Sequence, residues 1–188
     1  MKTKYVFIAF VVTALLQAFV PLKMVYDNEI TVSRGTIYKF KTQPIDPSDP
    51  FRGKYVSLNF AETSFTVKDT VWQEGEQVYA LLSVDTAGFA KIRAIAKTEP
   101  ESGNDYIAVK ADYYFEGLLR VSLPFDRFYM EESKAQEAED TYRTYSLQEN
   151  VKPAYALVAV KDGKAVVTDV IIDGTPLRDY VLGKRKSK

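Results

Sequence analysis

The chain has 188 residues, 46 % of them apolar, with 25 Lys and Arg against 25 Asp and Glu. That is room for one domain with a real core plus an appendage, and no bulk field draws it to nucleic acid or another polyanion. Neither cysteine nor histidine occurs, which excludes disulfides, iron–sulfur clusters, Cys/His zinc sites and His- or Cys-dependent nucleophilic catalysis.

The chain opens on Met-Lys-Thr-Lys and then an uncharged run, Tyr5–Leu22, in which only Thr13 and Gln17 are polar. A run of this length meets the lower limit for spanning the roughly 30 Å hydrocarbon core. Tyr5 and Tyr26 flank it, where amphipathic aromatics favour the interface, and Lys2 and Lys4 favour the cytoplasmic side. Residues 1–27 therefore read as a cytoplasmic start and an uncleaved anchor in the inner membrane. The competing reading is a cleaved secretory signal. The length of the run and the bulky Phe19–Leu22 argue against it, since no small-x-small pair closes the apolar stretch. Both readings place the rest of the chain outside the cytoplasm, in the periplasm.

Strand patterns dominate the remainder of the chain. Thr36–Ile45 alternates with period two, as does Lys54–Val67, where Val56, Leu58 and Phe60 share one face and Tyr55, Ser57 and Asn59 the other, exposed one. Glu74-Gly75-Glu76 turns the chain into Gln77–Val84, and Gly88 punctuates it before Phe89–Lys97. Asp105–Phe115 and Leu118–Phe125 flank Glu116-Gly117. Glu131–Leu147 is rich in helix formers without Gly or Pro, and is the one helix expected in the soluble part. Ala154–Val160 and Ala165–Ile172 flank Asp162-Gly163, a strong hairpin signal. Asp173-Gly174 then leads to a basic end, residues 183–188, read as a solvated tail. The abundant Tyr and Phe lie within these segments and read as core and sheet-face residues.

No composition shift divides residues 28–182. The expected fold is mainly β: an antiparallel β-sandwich or partly closed barrel with one helix, preceded by the N-terminal transmembrane helix.

The segment Pro44–Phe60, PIDPSDPFRGKYVSLNF, is the densest in local constraint. Its prolines fix their own φ and push Ile45, Asp46 and Asp49 toward extended conformations. The Asp side chains bond nearby amides in turns, and Arg52 is able to answer a carboxylate with paired hydrogen bonds. The result is a self-braced loop delivering the chain into a strand, and such loops on rigid scaffolds also serve recognition.

These residues resemble the GDYXXLXY family of bacterial membrane-anchored proteins, which carry a Pro-x-Asp-Pro-x-Asp loop followed by Arg-Gly-Asp-Tyr-Val and Leu-x-Tyr. The matching positions are Pro44, Asp46, Pro47, Asp49, Arg52, Gly53, Tyr55, Val56 and Leu58. Lys54 replaces the family aspartate, reversing a charge, and Phe60 replaces the final tyrosine, losing only a hydroxyl. A second stretch, Arg127-Phe128-Tyr129-Met130-Glu131-Glu132, is similar to the family's Arg-Tyr-Tyr-Val-Pro-Glu; Arg127, Tyr129 and Glu132 are its matching polar positions. The resemblance implies a single-span membrane protein with a small extracytoplasmic domain that accompanies a multi-pass membrane protein. It implies no cofactor and no particular chemistry.

Two functional classes remain. The first is a non-catalytic binding or assembly module acting with an envelope or integral membrane protein. The alternative is a membrane-tethered Ser-Lys hydrolase, the class of nucleophilic hydrolysis that needs no histidine, with Ser57 near Lys54, or Ser122, as the nucleophile. Paired-carboxylate hydrolysis or calcium binding by Asp46 and Asp49 is weaker, because their spacing lacks the ligand density of an EF-hand loop.

Overall fold

The computed structural model describes residues 2–43, 55–68, 72–101, 103–147 and 152–186. It opens with a helix, α1 (Lys2–Arg34), that reaches well past the apolar run and holds Pro21 in its interior. Part of α1 is long and apolar enough to cross a membrane, with a mean hydropathy of 2.2 over its best window and none of that window buried.

Gly35 alone separates α1 from the first strand, β1 (Thr36–Gln43). Its amide donates to the Thr31 carbonyl at 2.9 Å. A Cβ here would stand 2.4 Å from that oxygen and 2.9 Å from the Val160 carbonyl, so only glycine lets the helix end directly against the sheet. Thr31 is 1 % exposed, so the last turns of α1 are built into the domain.

The sequence pattern predicts one strand over Lys54–Val67. The structure instead breaks this stretch into β2 (Tyr55–Ser57), β3 (Asn59–Phe60) and β4 (Ser64–Thr66). The alternation of apolar residues holds, but each piece pairs with a different neighbour, so the segment stitches the fold together. The strands that come next are β5 (Gln77–Val84), β6 (Ala90–Ala96), β7 (Tyr106–Phe115), β8 (Leu118–Ser122) and β9 (Arg127–Tyr129). After helix α2 (Glu132–Ser146) come β10 (Tyr155–Lys161), β11 (Lys164–Ile172), the short β12 (Thr175–Pro176) and helix α3 (Leu177–Lys186).

Among the described residues the named strands pair antiparallel, and a single parallel bridge joins Ile107 to Gly163. One five-stranded sheet has the order β12-β11-β10-β1-β3, a second β4-β8-β7-β5-β6, and β2 pairs with β9 between them. A bond from Ala108 N to the Gly163 carbonyl, 2.8 Å, ties β7 to the β10–β11 turn. The sheets curl into a nearly closed, mainly β barrel, the fold class expected from the sequence. Three hairpins turn through pairs with positive φ at both central residues, Glu116-Gly117, Asp162-Gly163 and Asp173-Gly174, the geometry whose twist suits two-residue connections.

The interior centres on three rings, Phe40 of β1, Phe60 of β3 and Phe125 after β8. Their centroids lie 5.1–6.0 Å apart at interplanar angles of 71–80°, the edge-to-face arrangement aromatic rings favour. Helix α2 packs on β2 and closes this end of the barrel, with Ala138 and Tyr142 buried.

The expectation of a single helix in the soluble part needs correction. Residues 177–186 form α3, and Leu177 and Val181, one turn apart, are fully buried. The Tyr145 ring of α2 meets the Tyr180 ring of α3 at 6.4 Å. The apolar i, i+4 pair was the available sequence signal, and the cluster of basic residues beyond it masked it.

Candidate functional site

The two motif stretches, seventy residues apart in sequence, meet as the β2–β9 ribbon. Tyr55 faces Tyr129, Val56 faces Phe128, and Ser57 faces Arg127. Alternation sends Val56 and Phe128 into the core and leaves Tyr55, Arg127 and Tyr129 together on the outer face. The Tyr55 and Tyr129 rings lie 5.7 Å apart, tilted at 58°. The Arg127 guanidinium stands 4.8 Å from the Tyr55 ring centroid, a cation–π contact. Its Nε lies 3.4 Å from Asp126 Oδ1. The side-chain contact with Tyr129, then the Asp126 carboxylate, hold the guanidinium pKa above its ordinary value. Tyr129 is 64 % exposed. The ribbon thus presents two rings and a fixed positive charge to the outside.

Beside this patch runs a groove between the outer part of α1 and the barrel. One cleft of about 490 Å³ is lined by Asn28, Pro124, Arg127, Tyr129 and Val166. A second, of about 340 Å³, shares Asn28 and Pro124 and adds Met24 and Lys164. Asp27 anchors this region, accepting from Lys23 at 2.6 Å on its own helix and from Lys164 on β11.

The remaining motif residues separate. Leu58 and Phe60 are 5 % and 4 % exposed and belong to the core. Glu132 is the first residue of α2. Pro44, Asp46, Pro47, Asp49, Arg52, Gly53 and Lys54 lie outside the described residues, and with them the braced loop and the carboxylate and calcium ideas.

Ser57 departs from expectation. The strand pattern puts it on an exposed face, yet its Oγ is buried and makes no hydrogen bond among the described residues. The hydroxyls of Thr42, Tyr142 and Ser146 are likewise buried and unbonded. Burial raises the Tyr142 pKa, and the facing Thr42 and Ser146 hydroxyls lower it without closing a bond of normal geometry. Ser122 is exposed on β8 opposite Lys110. Among the described residues no lysine amine lies within hydrogen-bond distance of either serine hydroxyl.

Sequence reading missed a polar cleft of about 620 Å³ at the other end of the second sheet. There Tyr38 Oη donates to Asp105 at 2.9 Å, Tyr106 Oη donates to Glu99, and Arg93 donates to Asn104 at 2.9 Å. Burial first, then the Asp105 bond, raises the Tyr38 pKa to about 12. The Glu99 bond first, then burial, raises that of Tyr106 to about 12. All but Tyr38 come from β6, the β6–β7 link and the start of β7, and the fold brings Tyr38 of β1 to them, a meeting that no local motif announces.

A family model described as GDYXXLXY protein matches residues 17–170 of the chain. The chain belongs to the GDYXXLXY family. Its eponymous motif falls on residues 53–60, so in this GDYXXLXY protein Tyr55 supplies the exposed ribbon while Leu58 and Phe60 supply the core. No curated protein matches the chain, and no solved structure does.

Proposed function

We propose that this GDYXXLXY protein is a module held in the inner membrane by α1, with its N-terminus in the cytoplasm and its barrel outside, where it binds an integral membrane protein and acts in assembly rather than catalysis. The observation that carries this reading is the join at Gly35: an apolar helix with no buried window passes into the sheet with one residue between. A cleaved signal closes its apolar run on a small-residue site, whereas here the helix continues past Leu22 until Thr31 is buried against the sheet. The Tyr55–Arg127–Tyr129 patch lies beside the outer end of α1, at the level where an aromatic and cationic surface meets the loops of a neighbouring membrane protein.

Crosslinking followed by purification of the full-length chain from detergent tests the reading. An integral membrane protein that co-purifies, and is lost from Tyr129→Ala with Arg127→Ala, supports it. Recovery of the chain alone from membranes, or of a shortened chain in the soluble fraction, overturns it.

A further inference from the structure

Gln17 is the one polar side chain in the apolar run whose hydrogen bonds are not met within its own helix. Thr13, one turn earlier, turns its hydroxyl back to the Ala9 carbonyl at 2.9 Å. The Gln17 amide has no partner among the described residues. In a span over Tyr5–Leu22 it lies roughly 5 Å from the centre, well inside hydrocarbon, where an unmet primary amide costs several kcal/mol.

The direction in which Gln17 points is informative. At about 100° per residue, Phe10, Thr13, Gln17, Met24 and Asn28 fall on one stripe about 60° wide. Met24 and Asn28, with Asp27 just beside the stripe, are the α1 residues that line the groove under Pro124. Ala9, Ala14 and Ala18 flank the stripe and allow a second backbone to approach closely. Large side chains, among them Leu15 and Phe19, cover the opposite face.

We infer that this stripe receives a transmembrane helix of a multi-pass protein, one that offers a hydrogen-bonding side chain level with Gln17 and turns back in a short loop at the outer surface. The inference rests on the anchored reading of α1. Space selects this occupant over a second copy of the chain. The outer part of α1, Lys23–Arg34, is about 18 Å long and about 10 Å across, roughly 1,400 Å³. A second α1 on the same stripe would have to place that rod where Pro124, Arg127, Lys164 and Val166 of the barrel already stand beside Met24 and Asn28. A short loop fits the groove, beside Arg127 and Tyr129.

The test is site-specific photocrosslinking of the full-length chain in its native membrane, with a benzophenone side chain placed in turn at Phe10, Leu15, Phe19 and Tyr129. The expected result is an adduct from Phe10 to a protein that mass spectrometry shows to have several spans, with none from Leu15 or Phe19. Gln17→Leu, which leaves the melting temperature unchanged, reduces the Phe10 adduct about five- to tenfold, and Gln17→Asn restores part of it. An adduct from Phe10 to a second copy of the chain overturns the inference, as do equal adducts from both faces or indifference to Gln17→Leu. Capture of a membrane protein from Tyr129 with silence at Phe10 overturns the inference alone. Silence at both positions overturns the proposed function as well.

Discussion

Glu62 closes the barrel by gripping the edge strand at Lys91. One carboxylate oxygen takes the Lys91 amine at 2.7 Å, and the other takes the backbone N–H of Ile92 at 3.0 Å. Glu62 lies in the link between β3 and β4, and β6 is the last strand of its sheet. An unpaired edge N–H invites pairing with another chain, and here a side chain occupies it. The seam is thereby closed without a strand.

Removing that carboxylate should cost about 1–3 kcal/mol, the range for a hydrogen bond to a charged acceptor whose donor is left unmet. Glu62→Ala should lower the melting temperature of the detergent-solubilised chain and speed its aggregation on heating. Glu62→Gln keeps an acceptor and should fall between. Equal stability of all three would show that the seam contributes nothing.

Phe60 occupies the last position of the family motif and touches both other rings of the central cluster. Phe60→Ala should cost about 3–5 kcal/mol, as for other fully buried rings. Phe60→Tyr restores the family residue. Its cross-strand partner is Thr42, whose buried Oγ lacks a hydrogen bond. Urea titration should place the tyrosine variant between the parent and Phe60→Ala, since the ring contacts are kept while a hydroxyl enters the ring cluster.

The pH response should sit on the alkaline side. Tyr38 and Tyr106 have pKa values raised to about 12 by burial and by their carboxylate partners, against about 10 in the unfolded chain. A folded pKa above the unfolded one means that the neutral phenol is favoured by folding. This stabilisation is complete below about pH 10 and is lost as pH climbs toward 12. Tyrosinate absorbance should show late-titrating groups, Tyr38 and Tyr106 among them, and the double change Tyr38→Phe with Tyr106→Phe should flatten the fall in stability over that window. A fall of the same slope in the double variant would refute the assignment.

Gly35→Ala pushes a Cβ against two backbone oxygens that have no side-chain freedom to yield. It should cost about 1–3 kcal/mol and loosen the join of α1 to the barrel, which limited proteolysis in the segment around Arg34 would detect. Cleavage there at the parent rate would mean that the join tolerates the methyl group.

The strands were legible because alternation and two-residue turns are local facts. Asp162-Gly163 and Glu116-Gly117 mark their hairpins from the sequence alone, and Gln77–Val84 is found with the same limits in the fold. The fate of Lys54–Val67 was not legible. Nothing within that stretch says that Tyr55 pairs with Tyr129 while Phe60 pairs with Thr42, since both choices are made by distant strands. The same holds for the site. Tyr55, Arg127 and Tyr129 could each be singled out, but their meeting on one face is a property of the closed barrel. Gln17 was visible from the start as a polar residue in an apolar run, and only the helix register relative to Met24 and Asn28 gave it a direction.

The single-residue join at Gly35 also bears on how a partner is found. A domain on a flexible leash samples many heights and tilts, and loses that freedom on docking. If α1 spans the bilayer as proposed, the one-residue join to the sheet sets height and tilt, leaving travel in the plane and spin about the membrane normal. Encounter with the proposed partner would then be a two-dimensional search by a surface held at one level, for which a small patch of two rings and one cation would suffice where a tethered domain would need a larger one.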